Sequence, residues 1–333
     1  MGILLALVFA SVSQSTTAVI ALSAGMCMPL LLLRGYSPGF AAALFMCAGV
    51  LSFLIPPSTS LRAVIGLANI TPDIGYYGGI ILGLAGAVVL IVYAILHCII
   101  TKDGDLEKIQ EHQNELYAKG FPVVFFEGLL ALTLPALIVA SMAFKIFTST
   151  QAAAFSVVYS VVVSTFFFGT LSLKRCLEVI KEGLIDISPL LVLVFAANFF
   201  SACIEELDAV KILASHIREA GKNSQEITLL IFAALFVLGM FMDSVDACYM
   251  LVPAILPAAF MAGVEPYHLL IGLVGIESIG LITPPIGLAM YTMMAVSHVK
   301  FWDMFKNLIL PMLLLMILFT VFALFPSLTP FIG

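Results

Sequence analysis

Charged residues are scarce in this sequence. Asp, Glu, Lys and Arg make up 10% of its 333 residues, whereas 62% are hydrophobic. A soluble domain carries roughly 25% charged residues, so the composition excludes a soluble globular protein. The net charge of −6 lies in short loops and indicates no nucleic-acid partner. The chain instead contains long apolar runs, at 76–100, 121–144, 151–170, 187–204, 227–242 and 304–328. Because a membrane-spanning helix needs about 20 mostly apolar residues, we predict an all-α, polytopic protein of the lipid bilayer.

Residue groups typical of enzymes and metal centres are also missing from the sequence. The six cysteines form no CxxC pair, the five histidines are dispersed, and no HExxH motif occurs. We interpret the cysteines, together with His97 and Asn198, as packing residues. An intramembrane enzyme needs catalytic groups that face one another, and the sequence has no such pattern. We therefore predict a protein that is not an enzyme, with no cofactor and no catalytic or structural metal centre.

Prolines and glycines recur at a fixed offset along the chain. Shifting the sequence by 228 residues superimposes Pro29 on Pro257, Gly35 on Gly263, Pro38 on Pro266, and Pro56–Pro57 on Pro284–Pro285. Because these residue types constrain the backbone, their coincidence at one offset indicates two halves with a shared fold. Shared Leu and Ala would be expected of any two membrane helices, but shared Pro-Pro would not.

Each half combines a hairpin with a broken helix. Two apolar arms flank a polar segment, which is Ser11–Thr17 in the first half and Asp243–Asp246 in the second. An apolar run follows in each half, at 39–55 and 267–283, and ends at Pro-Pro. Pro-Pro removes two backbone donors, so the helix must break there. Such a break is tolerated in a membrane only where the unpaired groups face protein, water or a ligand. Breaks at matching positions indicate a transporter with a mid-membrane binding site.

The polar segments are best interpreted as tips of re-entrant hairpins. Counting the crossings between them places the two hairpins on opposite faces, so we predict inverted repeats. Of the 14 Lys and Arg residues, nine fall on the face of the first hairpin and four on the other. Positive residues favour the cytoplasmic side, so the first hairpin is predicted to be cytoplasmic, and the second hairpin and the C-terminus periplasmic.

This topology predicts four parts of the chain. They are a first transport unit (1–70), scaffold and linker helices (71–225), a second transport unit (226–298) and a C-terminal scaffold helix (299–333). Within the second part we expect a cytoplasmic loop at 101–120. An amphipathic interfacial helix is expected at 171–185, where Leu177 and Lys174 lie on different faces.

Polar residues in the hairpin tips are candidate ion ligands, since ionisable and polar groups are costly inside a bilayer. Asp243 and Asp246 either offer oxygens to a cation or substrate or cap the helix that begins there. Ser13, Ser15 and Thr16 offer neutral oxygens at the other tip. Hydroxyls and carbonyls suit a monovalent ion such as sodium better than calcium, which requires several carboxylates.

Two further ionisable residues lie close to the Pro-Pro breaks. Glu277, about two turns before the second break, either lines the cavity or pairs with a neighbour in the bundle. Arg62 follows the first break by five residues, after Ser58 and Thr59. Its guanidinium either contacts an anionic substrate, because it pairs with carboxylate through two hydrogen bonds, or extends to the membrane surface. We therefore take Arg62, Ser58, Thr59, Glu277 and Asp243 as candidate substrate-binding residues.

Five segments of the sequence resemble those of one transporter family. They are Ile55–Ser58 (IPPS), Gly280–Gly287 (GLITPPIG), Gly239–Asp243 (GMFMD), Arg34–Ala42 (RGYSPGFAA) and Phe147–Ala154 (FTSTQAAA). They resemble the large membrane subunit (M subunit, DctM-like) of TRAP transporters, the tripartite ATP-independent periplasmic family. The likeness covers nearly the whole chain, and Gly-Leu-Ile-Thr-Pro-Pro is a fairly specific motif.

The resemblance implies a sodium-driven, elevator-type permease of the ion-transporter superfamily in the bacterial inner membrane. It would act as a symporter of an organic acid, such as a C4-dicarboxylate, sialic acid or a similar carboxylate. A periplasmic binding protein (P) would deliver the substrate, and a small four-helix subunit (Q) would brace the scaffold. The resemblance also implies sodium ligands. For the first site these are Ser13, Ser15, Thr16, Ser52, Ile55, Pro56 and Ser58, and for the second they are Gly239, Gly280, Thr283 and Ile286.

The sequence departs from the family pattern at several positions. Its first hairpin reads Ser13-Gln-Ser-Thr16 in place of Ser-Gly-Ser-Ser, Ala289 replaces a common asparagine, and Arg62 stands where an apolar residue is usual. Family members carry helices before the first hairpin, whereas Met1 stands close to it. Two alternatives therefore remain: a carrier that works without a binding protein and couples to protons at Asp243 or Glu277, and an inactive truncated subunit.

Overall fold

The computed structural model describes most of the two predicted halves and parts of the segment between them. The described residues are 2–13, 15–56, 58–67, 72–105, 146–147, 149–167, 174–181, 223–241, 244–261, 263–264, 266–285 and 287–325, with 133, 137, 172, 203, 215, 216 and 219. All regular structure within these ranges is helical, in agreement with the predicted all-α class. The chain forms two compact units, one of Met1–Glu115 with Phe200–Gly333 and the other of Leu116–Phe199.

The first half contains five helices. They are α1 (Gly2–Ser13), α2 (Thr16–Leu33), α3 (Pro38–Val50), α4 (Thr59–Leu67) and α5 (Pro72–Thr101), and a 3₁₀ turn at Leu51–Phe53 extends α3. The Ser15 hydroxyl caps α2 by accepting a hydrogen bond from the Ala18 amide, which satisfies a donor that the helix itself cannot pair. Gly35 turns the chain between α2 and α3 at a φ of 79°, in the left-handed region that glycine favours.

The second half repeats this order of helices. They are α7 (Ser224–Gly239), α8 (Ser244–Met261), α9 (Pro266–Gly280), α10 (Leu288–Ser297) and α11 (Phe301–Leu324). The starts of α8 and α9 lie 228 residues after those of α2 and α3, which is the offset of the prolines and glycines. Helices α4 and α10 each follow a Pro-Pro break.

Three helices of the described residues are long and apolar enough to span a membrane, judged by length and composition: Thr16–Leu33, Gly75–Thr101 and Phe301–Leu324. Shorter apolar helical stretches lie at Pro38–Phe53, Val157–Phe166, Ser224–Gly239 and Leu288–Ser297. The pattern fits a protein in which long helices cross the bilayer and shorter ones end within it.

The two helices that precede the breaks form the core of the first unit. Every α3 residue after Pro38 is buried. Helix α11 packs against both α3 and α9, α7 packs against α9, and α5 contacts α3, α4 and α9. The sequence assigns α5 and α11 to a scaffold, but the structure packs both directly on the broken helices. The assignment of helices to moving and fixed parts remains a prediction.

The second unit contains α6 (Ser149–Val162), followed by a π-helical turn at Val163–Phe167. The Tyr159 hydroxyl forms a hydrogen bond with the Thr133 hydroxyl. Residues 174–181, within the predicted interfacial helix, are helical, with Leu177 and Ile180 exposed. Their placement at a membrane surface stays a prediction.

Candidate functional site

The tip of the first hairpin is attached to the end of the first broken helix by hydroxyl groups. The Thr16 Oγ1 atom lies 2.9 Å from Ser52 Oγ and donates a 3.3 Å hydrogen bond to the carbonyl of Gly49. Thr16 and Ser52 are both almost fully buried. Because no charged group takes part in this contact, it provides a cluster of neutral oxygens of the kind that the sequence predicts for a sodium site.

The remaining residues predicted for the first ion site lie around this contact. Ser15 caps α2, and its Oγ lies 3.0 Å from Thr17 Oγ1. Ser58 is fully buried and accepts a 3.0 Å hydrogen bond from the Leu61 amide, so it caps α4. Ile55 and Pro56 lie in the loop that joins the 3₁₀ turn after α3 to α4. Ser13 ends α1, but its side chain lies outside the described atoms.

Helix α5 packs against the loop of the first break. This contact was not predicted from the sequence. A Cβ atom built on Gly79 would lie 2.5 Å from the Leu54 carbonyl oxygen, and one on Gly83 would lie 3.0 Å from the Ile55 side chain. The α5 backbone therefore approaches the loop as closely as two glycines one turn apart allow. The i, i+4 spacing of these glycines was the available sequence signal.

The second break is built from backbone contacts. A Cβ atom on Gly239 would lie 2.4 Å from the Glu277 carbonyl oxygen, and one on Gly280 would lie 2.7 Å from Gly239 Cα. The ends of α7 and α9 thus touch without intervening side chains. Glu277 itself is completely buried. It occupies the position that corresponds to Gly49 at the offset of 228 residues, so the two breaks are chemically different.

The loop of the second break is bonded to the end of α7. The Gly287 amide donates a 3.3 Å hydrogen bond to the Met240 carbonyl, and Gly287 adopts a φ of 55°. The Thr283 hydroxyl lies 2.8 Å from the Ile279 carbonyl and 3.3 Å from Met312 Sδ of α11. The structure therefore brings Gly239, Gly280 and Thr283 to one loop. Ile286 and Asp243 lie outside the described residues, as does the side chain of Asp246.

Arg62 lies on α4, which packs against α8 of the second half. Its Nε atom is buried and has no hydrogen-bond partner among the residues described. The Arg62 charge is close enough to Tyr249 of α8 to act electrostatically on its hydroxyl. Thr59 and Arg62 are half-buried, whereas Ser58 is fully buried. Arg62 therefore lies on the helix of the first half that packs against α8 of the second half.

A second cluster of polar contacts holds the α2–α3 turn, and we call these contacts among Asp103, Ser37 and His97 the clasp. The Asp103 carboxylate, just beyond the end of α5, accepts hydrogen bonds from the Ser37 amide (2.9 Å) and hydroxyl (2.8 Å), so it holds the residue that precedes α3. His97 Nε2 lies 4.0 Å from Asp103, and the His97 ring stacks on Phe40 at 4.1 Å. The packing role predicted for His97 is confirmed by this stacking. Asp103 falls in a predicted loop, yet it is held by the fold.

Comparison with known proteins identifies the family of this chain. The chain matches the family model described as "Tripartite ATP-independent periplasmic transporter, DctM component" over residues 1–328. The chain belongs to this DctM family of TRAP transporters. The family is one of transporter permeases and not of enzymes. The apolar helices of this DctM-family member agree with a multi-pass membrane protein.

Three relatives illustrate the family of this DctM-type chain. It is 30% identical over 322 residues to a TRAP transporter large permease protein of Haemophilus influenzae, covering 95% of this chain and 73% of the relative. It is 27% identical to the sialic acid TRAP transporter large permease protein SiaM of Vibrio cholerae, covering 88% of this chain and 67% of SiaM. It is also 27% identical to the isethionate TRAP transporter permease protein DctMQ of Oleidesulfovibrio alaskensis. That match covers 93% of this chain but 48% of the relative, so the chain spans about half the length of that protein.

Proposed function

We propose that this DctM-family chain imports an organic acid by sodium symport, through an elevator-like movement of the unit that carries both hairpins. The observation that supports this most directly is the attachment of each hairpin to its own Pro-Pro break. In the first half this is the 2.9 Å contact of Thr16 with Ser52, and in the second it is the close approach of Gly239 and Gly280. Broken helices of this kind offer unpaired backbone oxygens to ions and substrates.

The ion sites follow from the chemistry of the two breaks. At the first, sodium would be held by hydroxyls of the hairpin tip and the Pro-Pro loop, from Ser13, Ser15, Thr16, Ser52 and Ser58, with the carbonyls of Ile55 and Pro56. At the second, it would be held mainly by backbone oxygens of Gly239, Gly280, Thr283 and Ile286. Neutral oxygen ligands favour a weakly held monovalent cation.

The substrate site would lie beside the first break, where Arg62 can bind a carboxylate. A guanidinium and a carboxylate form two parallel hydrogen bonds, and the buried Nε of Arg62 has no partner within the described part of the chain. Thr59 adds a hydroxyl on the same side of α4. Relatives are named for sialic acid and for C4-dicarboxylates, which are organic anions of the class proposed here. Asp243 and Glu277 would complete the cavity from the second half.

The assembly would follow the tripartite scheme. A periplasmic binding protein would deliver the acid, and a small membrane subunit would brace the scaffold; one relative carries DctMQ in its name. We further propose that the two halves are inverted repeats in the inner membrane, with the C-terminus periplasmic. This topology rests on the distribution of Lys and Arg and on the positive-inside rule.

One observation favours proton coupling as a second candidate, namely the complete burial of Glu277. A carboxyl group in an apolar environment is a known proton carrier in membrane proteins. Under this alternative, a Glu277→Gln variant would lose the pH dependence of uptake, whereas the exposed-residue control Glu226→Gln would keep it. Under sodium coupling alone, the pH dependence of uptake would be the same in both variants.

The deciding experiment is uptake into proteoliposomes that contain this chain with the cognate small subunit. The binding protein, the sodium gradient and a panel of organic acids are varied one at a time. We expect uptake to require both sodium and the binding protein. Uptake by the chain alone in sodium-free buffer would refute the tripartite sodium symport.

A further inference from the structure

One side of α4 is accessible and carries polar character, while the rest of the helix is buried. Thr59, Arg62 and Gly66 follow the i, i+3, i+7 spacing that places residues on one side of a helix. Thr59 and Arg62 are half-buried, and Gly66 is exposed. The other sides carry the buried residues Ser60, Leu61, Ala63, Val64 and Ile65. We call the accessible side, defined by Thr59, Arg62 and Gly66, the polar stripe of α4.

The position of the polar stripe indicates contact with water and not with lipid. A charged side chain within a membrane segment faces the bundle interior or a water-filled cavity in nearly all cases. Helix α4 packs against α8, and the Arg62 charge acts on Tyr249 of that helix. The stripe therefore runs along the junction between the first break and the second hairpin. A guanidinium has five N–H donors in a fixed plane, which suits the recognition of a carboxylate.

Gly66 provides space next to this guanidinium. Residues four apart are neighbours on a helix surface, so Gly66 lies one turn beyond Arg62. A Cβ atom built on Gly66 would meet no atom of the described residues within 4 Å. Gly79 and Gly280 differ from Gly66, since a Cβ on either would meet backbone, at 2.5 Å or 2.7 Å. Close helix packing therefore accounts for those glycines but not for Gly66.

We propose that Gly66 is a specificity-determining residue, which leaves room for the part of the organic acid that extends beyond the carboxylate bound by Arg62 and Thr59. This inference rests on the proposed transport function and extends it. The site discriminates between acids by the size of the group that lies next to Gly66 when the carboxylate is bound by Arg62. A larger side chain at position 66 reduces the space for large acids and leaves the carboxylate contact of small acids intact.

The test compares Gly66→Ala and Gly66→Leu with the unmodified chain in the reconstituted complex. Uptake is measured for a small acid, succinate, and a bulky one, N-acetylneuraminate, with the binding protein specific for each. We expect Gly66→Leu to reduce the uptake of the bulky acid by about tenfold or more, since one methylene group in a specificity pocket changes selection by about 10–200-fold. Succinate uptake and the half-saturating sodium concentration should stay unchanged. Gly66→Ala, which also strengthens the helix, should have an intermediate effect on the bulky acid only.

A second measurement keeps the inference testable if Gly66→Leu does not fold. In a Gly66→Cys variant, a membrane-impermeant maleimide should modify residue 66, and the bulky acid should slow this modification; peptide mass spectrometry separates it from the native cysteines. Absence of modification would show that position 66 is not open to water and would overturn the inference. If Gly66→Leu took up the bulky acid as well as the unmodified chain does, the inference would also be overturned, while the sodium symport would stand. Absence of sodium-dependent uptake of either acid by the unmodified chain would refute both proposals.

Discussion

Replacing Gly79 by alanine tests whether α5 positions the loop of the first break. The new Cβ would lie 2.5 Å from the Leu54 carbonyl oxygen, whereas an ordinary contact begins at 3.4 Å. The oxygen belongs to backbone, so it cannot move aside as a side chain would. Either α5 or the Leu54–Pro56 segment must therefore shift by almost 1 Å. Overpacking of this kind costs about 1–3 kcal/mol.

The size of the effect on sodium depends on which element moves. If the Leu54–Pro56 segment shifts, the strain is relieved at the expense of the geometry of the proposed first sodium site. A cost of about 1–3 kcal/mol then raises the half-saturating sodium concentration about 5–150-fold, because each 1.4 kcal/mol is a factor of ten. If α5 moves instead, the protein becomes less stable but its sodium dependence is unchanged.

The assay is a sodium titration of uptake in proteoliposomes, combined with the melting temperature of the detergent-solubilised complex. Gly25→Ala is the matched control, because Gly25 is also helical but its new Cβ would lie 3.8 Å from the nearest atom of Val296. We expect the control to change neither quantity. A Gly79→Ala variant with a lower melting temperature and an unchanged sodium titration would refute the positioning role of α5.

Three further predictions address other contacts. Thr16→Val removes the hydroxyl that lies 2.9 Å from Ser52, and should raise the half-saturating sodium concentration about five- to tenfold, as the loss of about 1 kcal/mol implies; Thr16→Ser should retain near-normal values. Asp103→Asn weakens the two hydrogen bonds from Ser37, and should lower the free energy of unfolding by about 1–2 kcal/mol. An unchanged free energy of unfolding in a denaturant titration would show that the clasp does not stabilise the fold. Gly239→Ala places a Cβ 2.4 Å from a backbone oxygen of α9, and should abolish sodium-dependent uptake, so normal uptake would contradict the close contact of α7 and α9.

The helix breaks were the features that the sequence could predict best, because proline acts on its immediate neighbours. The predicted apolar runs 39–55 and 267–283 correspond to α3 and α9. Both helices end some residues before their Pro-Pro pair, at Val50 and Gly280. In the first half a 3₁₀ turn fills part of this interval. Helical geometry is disfavoured for the residue before a proline but not excluded, since Pro29 lies within α2. The last turn of a helix also often tightens, so the ends could be predicted only to within a turn.

The contacts that stabilise the breaks could not be predicted, because they join residues far apart in the chain. Asp103 falls in a charged stretch that predicts a solvated loop, but its carboxylate holds Ser37, the residue before α3, which is 66 residues away in sequence. Gly79 gives no local signal of the carbonyl that it contacts. The chemical difference between the breaks was easier to predict, since Thr16 supplies a hydroxyl to one of them and the other carries Glu277 in an otherwise apolar helix.

Helix α5 is held at two separate points. Both contacts can form only if the number of residues between them is kept. Near its start, Gly79 and Gly83 lie against the first break. Just beyond its end, Asp103 bonds Ser37, the residue before the helix that leads to that same break. An α-helix turns by about 100° per residue, so a single inserted residue between these points would rotate one contact away while the other held. Side chains along the exposed side of α5, such as Val88 and Val92, can vary freely within apolar types. The number of residues between the two contacts cannot vary, because the length of α5 sets the distance from the α2–α3 turn to the loop of the first break.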